Sequence, residues 1–236
     1  MIDVTQLKDK VIVITGASRG IGQAIAHTLK DKGVRLVLGA RTIAEQSEFQ
    51  EDTILHVSLD VSDEESVMRF KEVALARFGK VDVLINAAGV GSFSSILDSE
   101  TKDFDDMISI NLRGTYLTCK HFGRTMKSQQ DGQILNLVSI AGTMALPGNG
   151  GYSASKYGVY GFTKVLQSEL RREGIRITSV IPGAINSSFW DNVDMELDKS
   201  NMISLRSITE HILFLLCQPK HAVVDEITIM PPNGIL

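Results

Sequence analysis

Seven short runs rich in β-branched residues, each followed by a longer amphipathic stretch, limit what this chain can become more than any other feature. They read "VIVIT" from Val11, "RLVL" from Arg35, "ILHVSL" from Ile54, "VDVLIN" from Val81, "QILNLVS" from Gln133, "RITSVI" from Arg176 and "EITIM" from Glu226. Runs this short and this apolar suit strands buried on both faces, and their alternation with helix-length segments is the pattern of parallel strands joined by crossover helices. The spacing predicts helices over 21–32, 62–78, 103–127, 152–173 and 207–217. The expected fold is α/β: a doubly wound, parallel, seven-stranded sheet with helices on both faces. A chain of 236 residues with no repeat, low-complexity tract or linker makes that one domain, 1–236. Ser62 and Glu65 fit a capping box, and Gly33, Gly79 and Gly174 read as left-handed helix stops.

Ligands of such a sheet bind beyond the carboxyl ends of the strands. There "TGASRGIG", Thr15 to Gly22, joins the first strand to the apolar pattern Ile21, Ile25, Leu29. Open backbone N–H groups at a helix start cradle a pyrophosphate, with Gly16 making the turn, Gly20 allowing close approach and Gly22 letting the helix pack. Ser18, Arg19 and Ile21 complete the loop. The bland alternative is a merely tight βα turn. At the end of the second strand, where an acidic residue holds the ribose hydroxyl of NAD, the sequence has Ala40 and then Arg41. With Arg19 in the loop, two guanidiniums suit the extra phosphate of NADP, so NADP(H) is preferred over NAD(H). Against this stands the reading that both arginines simply face solvent.

Composition removes other classes. A net charge of -4 with 22% charged residues leaves no basic footprint for nucleic acid. "ILFLLC" falls well short of the ~20 apolar residues of a membrane span, and no secretory leader precedes "VIVITGA", so no membrane partner and a cytoplasmic location are expected. Cys119 and Cys217 read as buried thiols, although a disulfide stays open on sequence alone. Cys119 and His121 lie two apart without a second ligand pair, so no metal site is expected. Asp103, Asp105 and Asp106 read as an acidic helix start rather than paired catalytic carboxylates.

In "GGYSASKYG", Tyr152 stands four residues before Lys156. On a helix the two share a face, and an ammonium beside a phenol favours phenolate. With the glycine loop, "LDV" at Leu59 to Val61, "NAAG" at Asn86 to Gly89, Asn111 in "ISINLRG", Ser139 thirteen residues before Tyr152, and "IPGAINS" from Ile181, the chain resembles the short-chain dehydrogenase/reductase family over nearly its whole length. The resemblance implies a Rossmann-type sheet and hydride transfer between a nicotinamide and a carbonyl or alcohol. Tyr152 would be the acid/base and Lys156 would lower its pKa and bond the nicotinamide ribose. Ser139 would orient the substrate oxygen, and Asn111 would hold a water of the proton relay. By the same resemblance Asp60 and Val61 would meet the adenine, and Asn86, Ala87 and Gly89 would line the wall by its ribose, with Asn86 also tying strands together. Pro182, Gly183 and Ile185 would flank the carboxamide, with Ser187 where the family usually has threonine.

Substrate choice in this family falls largely to the loop after the sixth strand, here 186–205. Its Phe189, Trp190, Met195 and Met202 either line an apolar pocket or form the buried side of a small helix. The favoured activity is reduction of a carbonyl substrate, a ketone or 3-oxoacyl thioester, by NADPH. Alternatives are an alcohol dehydrogenase working oxidatively and an NADP-binding sensor or scaffold without turnover. A homodimer or homotetramer is the family expectation, although the ending "DEITIMPPNGIL" departs from the usual tail and makes tetramer contacts doubtful.

Overall fold

The computed structural model describes residues 3–42, 52–191, 193 and 198–235. Its strands are β1 (Val11–Thr15), β2 (Arg35–Ala40), β3 (Ile54–Ser58), β4 (Val83–Asn86), β5 (Gly132–Leu137), β6 (Ile175–Pro182) and β7 (Glu226–Ile229). They form one seven-stranded sheet of order β3-β2-β1-β4-β5-β6-β7, every pairing parallel. All seven sequence-predicted strands are present.

The pleat explains why the central runs are apolar throughout. Along β1, Ile12 and Ile14 face one core, shared with Ile25 and Leu29 of α1 (Gly20–Leu29) and Ile208 and Ile212 of α6 (Leu205–Leu216). Val11 and Val13 face the other, with Val67 and Phe70 of α2 (Glu64–Phe78) and Leu117 and Phe122 of α4 (Gly114–Gln129). A strand covered on both faces gains nothing from polar alternation. Strands β3 and β7 lie at the sheet edges and are the ones with exposed positions.

Local departures from the sequence reading have physical causes. The α2 cap is Asp63 rather than Ser62: its carboxylate accepts from the amides of Glu65 and Ser66, while the Ser62 hydroxyl donates to Asp60 Oδ1 at 2.7 Å. A negative charge at a helix start adds the dipole term that a neutral serine lacks. The predicted helix 103–127 is three pieces, α3 (Thr101–Met107), a π-helical stretch Ile108–Arg113, and α4. Gly79 and Gly174 are left-handed stops as expected, while Gly33, also at positive φ, stands beyond the end of α1 and offers its carbonyl to the Asp9 amide. Both cysteines are buried and free. Among the described residues no helix is long and apolar enough to cross a membrane, and no group of metal-ligating side chains occurs.

Candidate active site

The strand order reverses between β1 and β4, which opens a crevice at the carboxyl ends of the strands. A cavity of about 750 Å³ occupies it, lined from the segments that leave β1 through β6. Its floor is the glycine loop. Gly16 has φ +67°, and a β-carbon there would stand 2.7 Å from Ala88 Cα. Gly22 is closed to any side chain by the Gly16 carbonyl, so its role is to let α1 start against the loop itself. Gly16, Ser18, Arg19, Gly20 and Ile21 all line the cavity, as do Arg41, Asp60, Val61, Ala87, Gly89, Pro182, Gly183, Ile185 and Ser187. Asp60 is also the turn residue before α2. The Ser62 hydroxyl chiefly, with a weaker pull from Arg41, holds its carboxyl below the usual range.

Two sequence-predicted site residues, Asn86 of the ribose wall and Asn111 of the proton relay, have side chains that sit behind the cavity rather than in it. Asn86 turns into the core, where its Nδ2 donates to Asn136 Oδ1 at 2.9 Å and its Oδ1 accepts from Thr118 Oγ1 at 2.8 Å. It ties β4 to β5 and α4, and the Ala87 to Val90 backbone makes the wall. Asn111, 1% exposed, lies in the π-helical stretch. Its Oδ1 accepts from the Val90 amide at 2.8 Å, and its Nδ2 donates to the Val90 carbonyl at 2.9 Å and Ser155 Oγ at 3.0 Å. The Asn111 side chain thus holds the loop after β4, with both Nδ2 protons committed and one Oδ1 lone pair in use. The space a Gly89 β-carbon would fill is 3.3 Å from Asn111 Oδ1 and 3.8 Å from Lys156 Nζ, so a side chain there would crowd Asn111.

Tyr152 and Lys156 come from the first turns of α5 (Gly150–Leu170), and Ser139 from the end of β5, where its Oγ also accepts from the Ala141 amide. Ser139 and Tyr152 line the cavity together, with the Ser139 hydroxyl close enough to the phenol to favour its ionised form. Lys156 Nζ donates to the Leu137 carbonyl at 2.8 Å and lies 5.7 Å from the Tyr152 ring centroid. The expected acidification of the phenol is not what this arrangement produces. Burial pushes Tyr152 up to about 12, with the Ser139 hydroxyl pulling partly back, and burial pushes Lys156 down to about 8. Desolvation disfavours the charged form of each group.

Above Tyr152 the lining is aromatic. Phe189 and Trp190 form a short 3-10 turn, Ser188–Trp190, capped by the Ser187 hydroxyl. Phe93, on the loop after β4, meets Tyr152 at 5.6 Å, Phe189 at 5.9 Å and Trp190 at 5.4 Å between ring centroids. Phe189, Trp190 and Met202 line the cavity, whereas Met195 lies outside the described residues. The sequence reading missed Phe93, a lone aromatic in a glycine and serine loop with no spacing to mark it. It also missed Thr42, which lines the cavity beside Arg41, and Ser188.

Ser188 Oγ is buried with no hydrogen-bond partner among the described residues, and it lies 3.8 Å from the β-carbon position of Gly20, at the start of α1. A buried hydroxyl lacking a partner, over a helix N-terminus whose glycines clear its approach, suits an anionic diphosphate.

A Rossmann-type sheet, a glycine-cleared helix start and a serine, tyrosine and lysine gathered on one cavity define a nicotinamide-dependent oxidoreductase scaffold. The sequence model for short chain dehydrogenases matches residues 10–198, and the chain belongs to the short-chain dehydrogenase/reductase family. An uncharacterized oxidoreductase of Staphylococcus saprophyticus is 34% identical over 235 residues, covering 97% of this chain and 100% of the relative. Another from Staphylococcus aureus strain N315 is 35% identical over 234 residues, with the same coverage. Among solved structures, an alcohol dehydrogenase from the archaeon Thermococcus sibiricus complexed with 5-hydroxy-NADP superposes with a TM-score of 0.85 at 33% identity, covering 95% of this chain and 97% of that one. A metagenomic short-chain oxidoreductase in complex with NADP gives 0.82 at 30%, covering 96% and 98%.

Proposed function

We propose that the chain is an NADPH-dependent carbonyl reductase of the ketone or 3-oxoacyl type, with Tyr152 as the proton donor. One observation carries the reading: Ser139, Tyr152 and Lys156 line a single cavity with the glycine loop, where burial favours the neutral phenol of Tyr152. A reduction needs the protonated acid, because negative charge grows on the substrate oxygen as carbon is reduced. Oxidation of an alcohol would need the phenolate, which burial disfavours here.

The bound dinucleotide supplies the hydride. The chain's own residues do the remainder. Ser139 donates its one hydroxyl proton to the carbonyl oxygen and sets its position. Tyr152 delivers its proton to that oxygen, and Lys156 stabilises the resulting phenolate as an ammonium. Asn111 holds the Gly89–Val90 wall at the distance Lys156 requires. The glycine loop and Ser188 would hold the diphosphate, while the preference for NADP rests on Arg19 and Arg41, both exposed at the same cavity with Thr42 between strand and solvent. The two solved structures described above are complexes of NADP or its 5-hydroxy form, which agrees with that preference.

The test is NADPH consumption with an acetoacetyl thioester, a small diketone and an aromatic aldehyde, each repeated with Tyr152→Phe. General acid catalysis contributes roughly 10²–10⁴-fold, so the variant should lose about that much turnover while binding NADPH normally. Near-normal turnover removes Tyr152 from its role. Binding of NADPH without any turnover favours the sensor reading instead. The reading also includes a homodimer or homotetramer working in the cytoplasm. Tyr116 of α4 and Tyr157 and Val165 of α5 are exposed apolar surface on the helices expected to pair, and light scattering that finds only monomer at micromolar concentration would end that part.

A further inference from the structure

Resting on the carbonyl reductase reading, we propose that the substrate end of the cavity is an aromatic slot that selects neutral carbonyl compounds bearing an aryl ring on the carbonyl carbon. The rings of Tyr152, Phe93, Phe189 and Trp190 form one cluster. Phe189 lies 5.7 Å from Tyr152 and 5.2 Å from Trp190, and Phe93 is stacked on Trp190 at an interplanar angle of 21°. These are the separations at which aromatic rings attract beyond simple burial. The catalytic phenol is thus one wall of the slot it serves.

The slot is built rather than incidental. Trp190 Nε1 donates to the Ile185 carbonyl at 2.9 Å, which fixes the plane of the indole. Gly91 leaves the space that Phe189 and Phe93 take, since a β-carbon there would stand 2.5 Å from Phe189 Cζ and 3.0 Å from Phe93 Cζ. Three elements far apart in sequence converge on this point, the loop after β4, the turn after β6 and the start of α5.

Charge decides what enters. Among the described residues lining the cavity, the charged side chains are Arg19, Arg41, Asp60 and Lys156. The first three leave β1, β2 and β3, where the dinucleotide would lie, and Lys156 is committed to the proton relay. A carboxylate or phosphate carried close to the carbonyl would meet the negative faces of rings with no cation to replace its water. An aryl ring would meet edges and faces at favourable separations.

The experiment compares kcat/KM for acetophenone, the straight-chain methyl ketone with the same number of heavy atoms, acetoacetate and an acetoacetyl thioester, all with NADPH. Stacking beyond burial corresponds to about tenfold, so acetophenone should exceed the straight-chain ketone by that factor and acetoacetate should stay at background. Phe93→Leu should bring the aryl-to-alkyl ratio toward one, and Phe93→Tyr should preserve it. A second readout does not depend on turnover. Trp190 is the only tryptophan, so acetophenone should change the protein's fluorescence saturably, while the straight-chain ketone changes it only at about tenfold higher concentration. If the straight-chain ketone or the thioester is the better substrate and its turnover still depends on Tyr152, the slot is wrong and carbonyl reduction stands. A saturable acetophenone signal without Tyr152-dependent turnover of any substrate keeps the slot and overturns the reductase reading. Neither signal nor turnover overturns both.

Discussion

Replacing Asn111 with alanine tests the idea that this side chain holds the active-site wall rather than acting on the substrate. Its three hydrogen bonds join the π-helical stretch to the loop after β4 and to α5. The substitution strands the amide and the carbonyl of Val90, while Ser155 keeps its bond to the Tyr152 carbonyl at 2.7 Å. An orphaned buried polar group costs about 1–3 kcal/mol. Val90 is only partly buried, so the pair should cost about 2–4 kcal/mol. At roughly 2–4 °C per kcal/mol for a chain of this size, Tm should fall by about 4–16 °C. The loop that loosens carries Gly89 and Phe93, so kcat should fall in the surviving folded protein. Asn111→Asp keeps an acceptor for the Val90 amide and loses the donor to its carbonyl, so its Tm should lie between. The assay is thermal unfolding followed by circular dichroism, paired with NADPH consumption below the transition. A Tm within about 2 °C of wild type for the alanine variant would refute the reasoning, whatever happens to activity.

Two further outcomes follow from the same geometry. Lys156→Met removes a buried cation whose pKa falls from 10.5 to about 8 in the fold; linkage puts that cost at up to about 3 kcal/mol, offset by the lost Leu137 bond at about 1 kcal/mol. The variant should therefore be more stable at pH 7 and inactive. Between pH 8 and 10.5 the unfolded wild-type lysine holds more proton than the folded one, so wild-type stability rises there and the variant's advantage shrinks; an advantage that grows with pH in urea titrations would reverse the assignment. Arg41→Ala should weaken NADPH binding about tenfold, the scale of a charge-assisted hydrogen bond at an exposed site, and leave NADH nearly unchanged; equal losses for the two cofactors in a binding titration would remove Arg41 from phosphate recognition.

Much of this molecule was legible in its sequence because the signals are local. Strands buried on both faces are largely apolar, so "VIVIT" and its counterparts showed the sheet directly, even though the edge strands β3 and β7 keep exposed positions. A glycine pattern between a strand and a helix carries its own geometry, and Gly16 and Gly22 stand where backbone atoms exclude a β-carbon. The short interval from Tyr152 to Lys156 likewise puts both on one turn of one helix.

What the tertiary structure decided depends on neighbours remote in sequence. Periodicity cannot register a helix widened over Ile108–Arg113, and that widening aims Asn111 at Val90. Asn86 and Gly89 belong to one motif, yet one is turned into the core by Asn136 and Thr118 while the other faces the cavity, a choice made by β5 and α4. The ionisation of Tyr152 and Lys156 could not be read from their spacing, because desolvation is a property of everything packed around them. Phe93 acquires its meaning only when the chain returns from β6 with Phe189 and Trp190. The sequence by itself determined the sheet, the glycine turn at the start of α1 and the placing of Tyr152 and Lys156 on one helical turn, since each rests on local backbone geometry. The polarity of the site and the shape of its substrate end were left to the packing, since burial and ring contact exist only between segments that folding brings together.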